Sequence, residues 1–170
     1  HRAQTQDEAV KSLMDHGTDV RVMAGGQSLI AMLNMRLTQP KIILDISGIH
    51  ELNYQTKSSS YLSFGASVTQ AQALNNSQVV SEVPLLGQAL PYVGHLQTRN
   101  RGTICGSTCH ADPSSEIPLV SATLGRESVV RSETGQRVIP TQAFQIALMT
   151  PAKPPDHTEV TAPLPAPPPT

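Results

Sequence analysis

A chain of 170 residues, 38% of them hydrophobic, is long enough for one domain or two small lobes around a modest core. Aromatics are 3% and Trp is absent, so that core must be aliphatic. Twelve Lys and Arg against thirteen Asp and Glu leave a net charge of −1, which gives no electrostatic reason to expect nucleic acid or an anionic membrane as the main partner. No apolar run reaches the length of a transmembrane helix. Two cysteines only four positions apart do not make a secreted disulfide framework, so a reducing cytoplasm is the expected location.

Thr5-Gln6-Asp7-Glu8 predicts a capped helix start, with Ala9, Val10, Leu13 and Met14 on one stripe and Gly17 ending it. Val20 and Val22 alternate with polar neighbours and read as a short strand that Gly25 and Gly26 break. Ser28 is placed to cap a second helix whose buried face is Leu29, Ile30, Leu33 and Leu37. Ile42-Ile43-Leu44 reads as a buried strand, completing a small parallel strand–helix–strand unit. The period then changes. Leu52–Thr56 and Tyr61–Ala66 flank a serine run and predict a hairpin. Thr69–Leu74 and Pro84–Val93 are short helical runs, the second opened by Pro84. Arg99 to Pro118 reads as a central polar loop, followed by a helix over Ile117–Leu124 closed by Gly125. Ser128–Arg131 and Gln136–Ile139 predict a second hairpin, and Thr141 caps a last helix through Ala147. Strands and helices mixed in this way point to an α+β fold. Eight of the 14 prolines fall in 151–170 and no glycine does, so that segment is expected to be a disordered tail without helix or central strand.

Two segments are candidates for a ligand. Ala24-Gly25-Gly26-Gln27-Ser28-Leu29 places glycines and a hydroxyl before a helix, where unpaired N–H groups favour an anion. A plain tight turn is the competing reading. The segment is neither a dinucleotide fingerprint nor a lysine-bearing phosphate loop. Gly102-Thr103-Ile104-Cys105-Gly106-Ser107 is the second, again weak taken alone. Two such loops, each against an apolar run, suggest a diphosphate held from both sides. Asp112 and Glu116 suit sugar or ribityl hydroxyls, or else cap the helix that Asp112-Pro113 would open. Arg99 and Arg101 could neutralise phosphate or lie solvated at the surface. Cys105, Cys109 and His110 do not have a common zinc spacing, so no metal is expected.

With Asn34-Met35-Arg36-Leu37, Asp45-Ile46, Phe64-Gly65-Ala66 and Ala111-Asp112-Pro113 added to those two segments, nearly all of 1–150 resembles the FAD-binding medium subunit of the xanthine dehydrogenase and carbon monoxide dehydrogenase family, the molybdenum hydroxylases. The resemblance implies a two-lobed PCMH-type domain, with a small βαβ lobe over 1–50 and a larger mixed-sheet lobe over 51–150. It implies FAD held by Ala24, Gly25, Gly26, Gln27, Ser28, Leu29, Val93, Gly94, Gly102, Thr103, Cys105, Gly106, Ser107, Asp112 and Glu116, and no catalytic residue of its own. It also implies partners, a molybdopterin-binding large subunit and a [2Fe-2S] small subunit, with the flavin passing electrons on to an acceptor. Cys105 stands where the family usually has glycine, and the family's C-terminal domain is not covered. A truncated remnant or assembly module with weak or no FAD binding is therefore the alternative.

Overall fold

The computed structural model describes residues 1–147, 150–151 and 158–165. Helix α1, Gln6–His16, begins where Thr5 Oγ1 accepts the Glu8 N–H at 3.2 Å. The Glu8 carboxylate accepts from the Gln4 N–H at 2.8 Å, one residue earlier than a capping box requires. Ala9, Val10 and Leu13 are buried, and Gly17 at φ +50° stops the helix. Strand β1, Val20–Met23, and strand β2, Ile42–Asp45, pair in parallel with Val20 opposite Ile42 and Val22 opposite Leu44. Helix α2, Leu29–Asn34, connects them. This is the strand–helix–strand unit expected from the sequence. Its helix differs in detail: Ser28 makes no side-chain cap, no residue of α2 is buried, and Ile30 and Leu37 are exposed. Six residues are too few to present a continuous stripe to a core.

The rest of the chain builds around a second sheet. Strands β3, Gln55–Lys57, and β4, Tyr61–Gly65, form the first hairpin. Helices α3, Gln70–Leu74, α4, Ser77–Glu82, α5, Pro84–Ala89, and α6, Leu96–Arg99, follow. The expected central loop instead contains a helix, α7, Ile104–His110, and it is followed by α8, Glu116–Thr123, the helix expected over 117–124. Strands β5, Glu127–Ser132, and β6, Gly135–Pro140, form the second hairpin. Helix α9, Thr141–Phe144, ends earlier than expected, where strand β7, Gln145–Ala147, pairs with β8, Thr150–Pro151.

Strand β9, Thr158–Pro165, lies between β4 and β5 in the sheet order β3-β4-β9-β5-β6. The expectation of a tail without central strand is thus corrected over these eight residues. Residues 152–157 and 166–170 lie outside the described ones. The physical reason is local. β5 pairs with β9 only over Thr158–Thr161, whereas Pro163 and Pro165 pair with Ser63 and Tyr61 of β4 alone. Among the described residues, both prolines sit where one side of the strand has no ladder, which is where a residue without an N–H is tolerated. Leu164 between them is 1% exposed and joins the main core.

That core is aliphatic apart from Phe64 and Cys105, and includes Leu44, Ile49, Leu62, Ile104 and Ile117. It spans β2, β4, α7 and α8, so both sheets lean on one cluster. At about 25 cal/mol per Å² of apolar area, burial of this cluster is a main stabilising contribution to the fold that carries the two candidate segments.

Candidate functional site

The chain leaves β1 at Met23 and turns through Gly26, whose φ of +74° is a left-handed conformation that a side chain disfavours. Gly25 has a different constraint. A Cβ on it would lie 2.0 Å from the Arg101 carbonyl oxygen and 2.8 Å from Gly102 Cα. The glycine at 25 is therefore set by protein against protein: it lets the two candidate segments touch backbone to backbone.

The second segment is anchored to residues 68–70. The Gln70 N–H donates to the Gly102 carbonyl at 2.8 Å and the Ile104 N–H to Val68 O at 3.3 Å, and these two bonds make an isolated antiparallel bridge between Thr69 and Thr103. Thr103 caps α7, its Oγ1 accepting the Gly106 N–H at 2.9 Å. A Cβ at 106 would fall 2.7 Å from that same Oγ1, so glycine there keeps the cap closed. Cys105 lies in the first turn, 2% exposed, with its thiol donating to the Phe64 carbonyl at 3.6 Å. Its backbone is helical, so the position makes no demand that only glycine meets.

Between the segments lies a cleft of about 540 Å³, a size typical of small-molecule sites. Ala24, Gly25, Gly26, Gln27, Ser28 and Leu29 line one side; Gly102, Thr103, Cys105, Gly106 and Ser107 line the other, with Val93 between. Gly94, Asp112 and Glu116 do not line it. Gly94 instead turns at φ +50° beside Thr98. Glu116 opens α8, with Ser115 as its N-cap. Asp112 does not open that helix; it closes a turn, accepting from Ser114 N–H at 2.9 Å and Ser114 Oγ–H at 2.7 Å. Arg99 is turned away from any ligand role: its Nη1 lies 3.1, 3.1 and 2.9 Å from the carbonyls of Pro91, Val93 and Gly94. Sequence reasoning missed Gln70, Thr98 and Ser115, which line the cleft together with Cys109 and His110.

The hydrogen bonds from the Ser114 hydroxyl and N–H hold the Asp112 carboxyl below its usual range. A carboxylate with a lowered folded-state pKa adds stability above its unfolded value, and that stability is lost as pH falls through the folded one. The gap in urea midpoint between the native chain and Asp112→Ala should accordingly be present at pH 7 and close as the pH is taken well below 3.8, the group's ordinary value. A gap that is unchanged in acid would remove the carboxylate from the explanation.

Residues 1–164 match the family model for the FAD binding domain in molybdopterin dehydrogenase. The chain belongs to that family. It is 38% identical over 143 residues to the caffeine dehydrogenase subunit beta of Pseudomonas sp. (strain CBB1), covering 83% of this chain and 48% of that one. It is 41% identical over 138 residues to the glyceraldehyde dehydrogenase medium chain of Sulfolobus acidocaldarius, covering 81% and 49%. Among solved structures, carbon monoxide dehydrogenase from Hydrogenophaga pseudoflava superposes with a TM-score of 0.94 at 30% identity, over 98% of this chain and 58% of that one. Quinoline 2-oxidoreductase from Pseudomonas putida 86 gives 0.93 at 33% identity, over the same shares. The chain thus spans about half the length of the curated relatives it matches. Its α+β fold is that of the FAD-binding subunits of this family.

The cleft suits the FAD of such a domain on its own chemistry. The N–H groups of Gly25, Gly26, Gln27 and Ser28 donate to no other described residue. A row of unspent backbone donors before a helix is matched by an anionic phosphate. The hydroxyls of Thr103, Ser107 and Ser115 ring the opposite wall. Ser107 and Ser115 stand 3.3 Å apart, oxygen to oxygen.

Proposed function

We propose that this chain holds FAD on the electron path of a cytoplasmic molybdenum hydroxylase, between the iron–sulfur clusters of a small subunit and a final acceptor, while a molybdopterin-binding large subunit carries out the hydroxylation. One observation supports this most directly. Two glycine-bearing segments some 75 positions apart meet at Gly25 and Arg101 and line a single cleft. The names of the relatives, a subunit beta and a medium chain of dehydrogenases, are consistent with a part in a larger complex. No described helix is long and apolar enough to cross a membrane.

In this reading the N–H groups of 25–28 bind the diphosphate from one side. Ser107 and Ser115 bind hydroxyls or phosphate oxygens from the other, and Val93 and Ala24 keep that part of the cleft apolar. Bound flavin supplies the redox chemistry, and the protein supplies its position and electrostatic surroundings. Residues 1–50 and 51–150 would form the two lobes. The test is a titration of the purified chain with FAD, read as quenching of flavin fluorescence. Saturable quenching with a Kd in the low micromolar range or below, a binding free energy of about −8 kcal/mol, is the expected result. Absence of quenching at high micromolar FAD would remove the cofactor assignment from this chain.

A further inference from the structure

Gln70 is 4% exposed and lines the cleft, and its Oε1 is fully buried with no hydrogen-bond partner among the described residues. The carboxamide nitrogen also bonds to no described residue. This is unusual for its surroundings. A neighbouring side chain on the same helix, Gln72, is satisfied, accepting from Thr69 N–H at 2.7 Å and donating to Asn53 at 3.2 Å. The Gln70 backbone is tied as well, through its N–H to Gly102 O. Only its amide end is left over, and that end lies against the start of the second ligand segment. A Cβ built on Gly102 would stand 3.1 Å from both Oε1 and Nε2.

A buried acceptor without a partner costs about 1–3 kcal/mol, and folding places such groups where something else satisfies them. We infer that Gln70 is a cofactor-binding residue, its Oε1 accepting a hydrogen bond from a hydroxyl or N–H of the nucleotide in the cleft. The inference rests on the FAD reading above. The orphan is an acceptor, so the diphosphate, which offers only acceptors, is not its partner. The sugar, ribityl or ring donors of the nucleotide are the groups of matching chemistry. Gly102 then has a second purpose besides its close approach to Thr98: the missing side chain leaves room for the amide of Gln70 beside it.

The test replaces Gln70 with Met, which keeps length and volume and removes both polar atoms. Two quantities are read on the same preparations, the melting temperature of the chain without FAD and the FAD dissociation constant by fluorescence quenching. The expected result is opposite movement. Gln70→Met should melt at the same temperature as the native chain or higher, since an unsatisfied polar atom is gone, while FAD binds about tenfold more weakly. A purely structural amide would give the reverse, a lower melting temperature with unchanged affinity, and that overturns the inference. Unchanged affinity with any melting temperature overturns it too. A native chain that binds no FAD overturns the underlying cofactor reading as well, and is told apart because the loss is then common to both proteins.

Discussion

Gly25→Ala should destabilise the chain strongly. The added Cβ would lie 2.0 Å from the Arg101 carbonyl oxygen and 2.6 Å from its carbon. Both are backbone atoms, so no rotamer change relieves the clash, and the two segments must part. Overpacking of this kind costs about 3 kcal/mol or more, which for a chain of this size lowers the melting temperature by about 6–12 °C. Parting the segments also opens the cleft along the seam between 24–28 and 101–107, so FAD affinity should fall by at least about tenfold, or 1.4 kcal/mol. Gly125→Ala is the matched control. Gly125 has φ +63° but nothing within 4 Å of a built Cβ. It should lose only the left-handed backbone penalty, about 1–2 kcal/mol, and leave affinity alone. Equal melting temperatures for the two variants would mean that the contact between Gly25 and Arg101 is not what brings the segments together.

That contact also marks the boundary between what the residues disclose by themselves and what only the fold adds. The two segments are legible as ligand loops because glycine and hydroxyl residues cluster there, and the structure brings both to one cleft. The reason for the glycines is not legible. Sequence suggests that Gly25 clears space for a ligand, whereas its Cβ direction is filled by protein. The helical state of 104–110 is hidden by polarity: Ser107, Thr108 and His110 dilute the apolar pattern. Even so, Ile104, Cys105 and Thr108 are buried at a spacing of one and then three, and Thr103 is a standard N-cap three residues before Gly106. Strand β9 is masked by composition. Proline density argues against a strand only where both edges carry a ladder, and which edges are paired is a tertiary fact. Gln70 carries no local mark at all. Its significance is that its amide finds no partner, and this emerges only once every neighbour is placed.

Arg99 and Arg101 give the second large effect, because the structure separates two residues that sequence treats alike. Arg99 Nη1 is shared by three carbonyls of the turn at 91–94, and that turn delivers buried Val93 to the cleft. Arg101 contributes its carbonyl to the contact with Gly25, while its side chain makes no hydrogen bond to a described residue. A guanidinium can span three oxygens with one planar group, whereas an aliphatic side chain leaves them without a donor. Arg99→Met should therefore cost about 2 kcal/mol, from loss of a charge-assisted bond set, and lower the melting temperature by about 4–8 °C. Arg101→Met should melt like the native chain. The same pair tests the phosphate reading of these arginines. If Arg101 reaches the diphosphate, its replacement weakens FAD binding and flattens the dependence of affinity on salt, as expected for loss of a screened charge. Arg99→Met should weaken binding through the displaced turn and leave the salt dependence as it was, because its charge is already committed to the Pro91, Val93 and Gly94 carbonyls. Equal melting temperatures for the two variants, or a salt dependence lost in Arg99→Met, would reverse the roles assigned to them.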